Sequence, residues 1–334
     1  MPGSGGDGVA DLFDAGPPTR GDPLHQPWDP AAVREATVSG GPGKDGIPSV
    51  DDPQFAAADE VSLAADDVVF GYAGADDVTA YPQSVLVWHE VVNDTLDGTP
   101  VAVTYCPLTG TAMGFERGET TFGVSGRLVN NNLVLYDRAT DSRWPQVLAT
   151  AVSGPHEGDQ LRELRLVWTT WGRWREAHPD TLVMTEHTGY ARRYGSDPYG
   201  NYNPTSGYYA AESRTLFPPL DEGWRATQDD AKRVVFAART ADRVLAFDRP
   251  AATRAHLLAT ADGAFVAAYD PALDTAWVYR AGDATVEPSG ERDGRFRVDG
   301  ADHPATALPL EPVYAFDAMW HAVGGFYPEA EYVA

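Results

Sequence analysis

From residue 68 onward the chain alternates short apolar runs, rich in β-branched and aromatic residues, with breaks of Gly, Asp and Pro. That pattern predicts short strands over Val68–Tyr72, Val78–Tyr81, Val85–Trp88, Val101–Tyr105, Ala112–Phe115, Thr120–Val124 and Leu133–Tyr136. Asp97-Gly98 sits between two of these runs and reads as a two-residue hairpin turn. The Trp/Arg pattern from Trp168 to His178 predicts a short helix stopped by Pro179. Residues 1–43 are rich in Gly, Pro and Asp with little periodicity, and read as a loosely ordered N-terminal arm that wraps the domain.

The second half repeats the first in worn form. Val68-Val69-Phe70 and Val78–Tyr81 match Val234-Val235-Phe236 and Val244–Phe247; Asp97–Pro107 matches Asp262–Pro271. Phe115–Gly118 matches Tyr279–Gly282, and Trp171–Trp174 with His178-Pro179 parallels Phe316–Trp320 with Tyr327-Pro328. Four blocks in the same order predict two degenerate repeats, 44–207 and 208–334, of short antiparallel strands with a few short helices. The expected fold class is mainly β (α+β). The repeat also acts as an internal control: Cys106 falls opposite Asp270, so polar residues peculiar to the first copy are the better site candidates.

Composition narrows the setting. Of 334 residues, 43% are hydrophobic, enough for a sizeable core. No run approaches the roughly 18 consecutive apolar residues of a membrane span, and the N-terminus lacks a basic segment followed by an apolar one. A cytoplasmic protein with no transmembrane segment is expected, with a trimmed exported form left open. The net charge is −24 and only Lys44 and Lys232 are lysines. An acid-rich, lysine-poor surface stays hydrated in concentrated salt, which screens its self-repulsion, so a halophilic archaeal source is expected. The same charge argues against nucleic acid or anionic membranes as partners. A small molecule or a metal ion remains.

The single cysteine, Cys106, excludes an internal disulfide and ends a strand-like run at a Pro/Gly turn. Around it stand Lys44–Pro48, Ala80-Tyr81-Pro82, Trp88–Asp94, Thr104–Thr111, Phe122–Gly126, Asn132–Arg138, Asp141–Gln146 and Gly189–Gly195. In these motifs the chain resembles a family of bacterial and archaeal proteins designated domain of unknown function 3179, densely from Lys44 to Tyr202 and more faintly beyond. The resemblance implies a Cys-Pro-Leu-Cys turn in many relatives, where this chain has Cys106-Pro107-Leu108-Thr109. With Thr109 in the second place, a disulfide there is ruled out and a metal site loses one thiolate. Relatives are often exported or lipid-anchored, and the family designation implies no activity.

Three chemistries compete for these residues. A thiolate and an imidazole suit copper or zinc, so Cys106 and His89, with Glu90 or Asp94, are candidate metal ligands; His178 and Asp137 are further options. Cys106 with His89 as base and an acid as orienter would make a thiol-dependent enzyme. Tyr190, Arg192, Arg193 and Tyr194 form an aromatic and basic cluster suited to a small anionic ligand in a non-catalytic binding module. Asp137 and Arg138 are read as polar turn residues or as a buried ion pair supporting the site, and Trp144, with Trp88, as walls around it. The metal-binding reading leads, the anion module follows, and the thiol enzyme comes third. Neither a serine-hydrolase elbow nor a phosphate-binding glycine loop is present.

Overall fold

The structure is a computed structural model that describes residues 15–221, 223–224, 230–290 and 293–334. It is mainly β, in several small sheets with a few short helices. In the first half, strands Val167–Thr170, Val68–Ala73, Val78–Pro82, Leu182–Met184 and Phe55–Ala57 lie side by side in that order. In the second, Ala315–Met319, Val234–Arg239, Val244–Asp248 and Glu331–Val333 reproduce the first four places. Both copies pair antiparallel except at the same point, where Leu182–Met184 and Glu331–Val333 run parallel to their neighbours. A second sheet recurs likewise: Glu163–Leu164, Thr111–Glu116, Thr99–Cys106 and Val91–Leu96 answer to Glu311–Val313, Thr275–Arg280, Phe265–Asp270 and Leu257–Ala259. A further sheet joins Val38–Ser39 of the arm to Phe122–Val129, Asn132–Asp137 and Arg143–Pro145 of the first half, and the second half has a three-stranded one of Val286–Pro288, Arg295–Val298 and Ala301–Pro304.

Local chemistry explains most of the elements. Asp97 and Gly98 have φ of 47° and 73°, the left-handed pair that a two-residue hairpin needs, and they join Leu96 to Thr99 across the turn. Two expectations fail. Val85–Trp88 is not a strand but part of the helix Gln83–His89. Pro82 precedes it in extended backbone, and Val85, Leu86 and Val87 are all buried; an apolar run of four residues is too short to carry a period that separates helix from strand. Trp168 belongs to the strand Val167–Thr170, and the helix starts only at Trp171.

The described part of the N-terminal arm is fastened rather than loose. Thr19 bridges to Leu161, the helix Pro30–Glu35 buries Val33 completely, and the Trp28 indole donates to the Phe326 carbonyl. Residues 1–14 of the expected arm lie outside the described residues.

The two halves are not separate bodies, because the largest core cluster draws on both. Cys106, Met113, Phe115, Leu133 and Trp144 pack in one apolar mass with Val235, Ala246, Phe316, Val323 and Phe326. Buried arginines pin the seam. Arg239 ion-pairs with Glu163, and also donates to the Leu148 carbonyl and to the Tyr327 hydroxyl. Arg165 reaches the other way, to the Ala315 and Ala276 carbonyls, over the Trp277 ring. The Arg239 and Glu163 side chains are 1% and 0% exposed, so salt screens their attraction little. Removing one partner leaves the other charge buried alone, which costs about 3–5 kcal/mol. Glu163→Ala is therefore expected to lower unfolding free energy by about that amount, with little change in the deficit between low and high KCl. Denaturant titration at two salt concentrations checks both statements.

Candidate functional site

Cys106 ends the strand Thr99–Cys106, and the chain turns through Pro107–Gly110 before pairing back at Thr111. An asparagine corner holds this turn. Asn130 and Asn131 take left-handed backbone, φ 52° and 62°. The Asn132 amide, wholly buried, donates to Thr109 Oγ1 at 3.1 Å and Gln146 Oε1 at 2.9 Å, and its oxygen accepts from the Val147 N–H. Asn130 reaches across the seam to the Ala322 carbonyl at 2.8 Å. It fits because residue 325 is glycine: a Cβ there would stand 2.2 Å from Asn130 Oδ1. The Cys106 thiol points at the Asn131 carbonyl, Sγ to O 3.6 Å, and the Thr109 hydroxyl bonds to it. Thr109 thus faces Cys106 from the place where many relatives are expected to carry a second cysteine. Its own carbonyl accepts from the Met319 N–H, so the turn is tied to the second half.

Glu90 is the C-cap of the helix Gln83–His89, in left-handed backbone with φ 58°, where glycine is the ordinary choice. Its carboxyl is buried, makes no hydrogen bond to a described residue, and is pushed up to about 8 by burial. It lies close enough to act electrostatically on Cys106, whose thiol burial pushes up to about 11, and on Tyr199, whose phenol burial also raises. Glu90, Leu108, Leu133, Tyr199 and Phe217 line a largely apolar cavity of about 150 Å³.

The second half supplies the other side. Lys232 is 6% exposed, its Nζ has no hydrogen-bond partner among the described residues, and it sits 3.0 Å above the centre of the Tyr208 ring. Burial drives its amine down to about 7, with Cys106 acting on it in the opposite sense. The Tyr208 hydroxyl donates to the Leu108 carbonyl of the cysteine turn at 2.8 Å. Ala231 and Arg233 clamp the segment by accepting from the His321 and Trp320 N–H groups. His321 is 3% exposed, neither ring nitrogen has a well-formed hydrogen bond among the described residues, and burial pushes it down to about 3. At neutral pH this cluster is a protonated thiol, a largely protonated carboxyl, a neutral imidazole and an amine near its midpoint. Of these, Glu90 and Lys232 lie close enough to neutral pH to exchange a proton with a ligand, whereas the thiol and the imidazole hold their neutral forms.

The profile of the family described as Protein of unknown function (DUF3179) matches residues 44–330. The chain belongs to this family. No curated protein and no solved structure matches it. The family match takes in both halves, and so covers the thiol turn together with Lys232 and His321.

In this DUF3179 member the expected metal residues part company. Cys106 and Glu90 come together. The His89 ring is committed elsewhere, Nδ1 to the Pro48 carbonyl at 2.8 Å and Nε2 to the Tyr194 hydroxyl at 2.7 Å. Asp94 accepts from the Tyr81 hydroxyl and the Thr95 N–H. Among the described residues no group of three or more His, Cys, Asp and Glu side chains converges on a point that could hold a metal ion. The anion cluster splits too: Tyr194 turns inward to His89, while Tyr190, Arg192 and Arg193 are exposed. Asp137 and Arg138 are not an ion pair. Asp137 closes its own turn, accepting from Thr140 and the Trp144 indole, whereas Arg138 pairs with Asp51 and Asp45. Trp144 is fully buried core, and Trp88 donates to the Ser196 carbonyl. His178 stacks on Trp174.

Lys232, His321 and Tyr208 are the residues that sequence reasoning did not place at the site. One signal pointed to the first: in a chain with 25 basic residues, a lysine is a rarity, and one beside an apolar strand start more so.

Because Glu90 is raised in the fold and ordinary when unfolded, the unfolded chain releases its proton first as pH rises. Its contribution to stability is full below about 4.5 and drains away up to about 8. The Glu90→Gln variant lacks this drain. It is expected to gain on the wild type between pH 5 and 8, at no more than about 1.4 kcal/mol per pH unit. Paired urea titrations across that range test it; a constant difference would show that the carboxyl is ordinary.

Proposed function

We propose that the protein binds a small molecule with a compact apolar body and one polar group, held in the cavity that Glu90 and Leu108 of the cysteine turn line. The observation that carries this reading is Glu90 itself. A buried carboxyl without a hydrogen-bond partner among the described residues, on left-handed backbone that glycine would occupy more cheaply, is costly to the fold and lines a largely apolar cavity. A cavity near 150 Å³ lined by Leu and Phe is the size that takes a benzene-like molecule. A protonated Glu90 offers that molecule's polar group one donor and one acceptor, and Lys232, acting through the same thiol turn, supplies an amine able to give or take a proton.

This reading displaces the copper or zinc site to second place, since Cys106 and Glu90 remain near each other but His89 and Asp94 do not join them. It also limits thiol chemistry, because a thiol raised to about 11 stays protonated at neutral pH. The acidic surface supports a high-salt setting for whatever ligand is bound.

Cyclohexanol is a suitable probe. At ten times its Kd it is expected to stabilise the wild type by about 1.4 kcal/mol in thermal unfolding, and the shift should vanish in Glu90→Leu, which fills the cavity and removes the acid. If cyclohexanol does nothing, while copper or zinc gives a shift that Cys106→Ser abolishes, the metal reading replaces this one. The surface reading has its own check. With −24 net charge, the unfolding midpoint should climb steadily as KCl rises from ~0.2 to ~3 M; a flat or falling curve would mean an ordinary acidic protein.

A further inference from the structure

Beside the inner cavity, and sharing its Pro42–Gly126–Arg127 wall, lies a second, larger hollow of about 640 Å³. Arg34, Lys44, Arg127 and Arg143 line it together with hydroxyls such as Ser39 and Ser153, and no acidic residue lines it. That is unexpected in a chain with 49 acidic residues against 25 basic ones, 4 of which meet here. The groove at the seam near Arg239 shows the contrast, for its arginines are interleaved with Asp22, Glu163 and Glu311.

The cations differ in how they are held. Arg143 forms no side-chain hydrogen bond or ion pair with a described residue, although its backbone is fixed by pairing to Tyr136 and Ser153. Arg127 donates only to Thr37, through its carbonyl and hydroxyl oxygens, and so is aimed without being neutralised. Arg34 and Lys44 each have one exposed carboxylate partner, Glu157 at 2.7 Å and Asp141 at 2.8 Å. Exposed pairs of that kind are worth about 0–1 kcal/mol, so an incoming anion can take their place. Two of the four guanidinium or ammonium groups are thus free of any acid, and two are loosely engaged.

We propose that this groove is a binding site for a multivalent oxyanion, the phosphate-type or polycarboxylate head of a small molecule. Planar guanidinium forks with serine hydroxyls between them match such oxygens in geometry as well as charge. The hollow exceeds a single monovalent anion, and four cations over-neutralise one. Since the groove and the Glu90 cavity share a wall, a ligand with an anionic head here would place its apolar end against that wall. The anion site does not depend on the inner cavity being occupied. It also differs from the exposed Arg192 and Arg193 cluster, where Arg192 donates to the Ala191 carbonyl and faces the Tyr190 ring.

The test is calorimetric titration of the full chain with inorganic pyrophosphate and, separately, citrate, in the lowest KCl at which circular dichroism shows the native fold. Pyrophosphate has no apolar body, so it reports on the groove alone, whereas cyclohexanol reports on the inner cavity alone. Saturable binding by at least one of the two oxyanions is expected, and which one binds separates phosphate-type from carboxylate heads. Arg143→Gln, which breaks no side-chain hydrogen bond or ion pair with a described residue, should weaken it about tenfold, Lys44→Gln should weaken it less, and Arg192→Gln should leave it unchanged. Absence of binding by both oxyanions, or binding that Arg143→Gln leaves intact, overturns the proposal. Loss in Arg192→Gln instead would overturn it and move the anion site to the aromatic cluster.

Discussion

Everything distinctive about this protein depends on its two halves burying one face against each other. The seam is closed by apolar packing that neither half could complete alone, and by ionic groups placed where water cannot reach them. Arg239 against Glu163 is the clearest case. A buried pair of this kind gives little net stability, because desolvation cancels much of the attraction, but it tolerates few alternative registers. In a chain whose surface repels itself, contacts that salt neither weakens nor strengthens are a sensible means of fixing one half on the other.

The site follows from the same burial. The cysteine turn comes from the first half, Lys232 and His321 from the second, and each brings a polar group into a place already dried by packing. Desolvation, rather than pairing, is the largest influence on Glu90, Cys106, Lys232 and His321. It pushes each toward its neutral form, acids up and bases down. The result is a cluster that carries almost no net charge at neutral pH despite four ionisable members. A cation set for metal binding would be expected to show carboxylates and imidazoles lowered or oriented by one another; here the groups are spread along a path from Glu90 through Cys106 to Lys232 and His321.

Much of the framework was legible in the sequence because it rests on local rules. The Asp97-Gly98 turn, the strands around it and the matching order of the second half are all set by turn chemistry and by apolar alternation. The helix Gln83–His89 was not legible, since its apolar run of four residues is too short to carry a period. Cys106 and Glu90 stood out as neighbours of one motif, and the fold does bring them together. His89 misled because sequence adjacency to Glu90 says nothing about direction: the left-handed cap turns Glu90 toward the thiol while the ring stays under Pro48 and Tyr194. Lys232 and His321 escaped because they lie more than a hundred residues from Cys106 and belong to the half that looked like a worn copy.

Charge distribution gives the last constraint. A surface this acidic repels anions at long range, and salt strong enough to stabilise it also screens attraction to any patch of cations. A cationic groove can then contribute little to long-range capture and must act at contact, through oriented guanidinium forks and hydroxyls. That is what the backbone arrangement around Arg127 and Arg143 provides: side chains set by strand pairing and by Thr37 of the N-terminal arm, within a walled hollow. The arm therefore does more than cover the domain. By fixing Arg127 and contributing Arg34, Ser39 and Pro42, it builds one side of the groove and part of the wall behind which Glu90 stands.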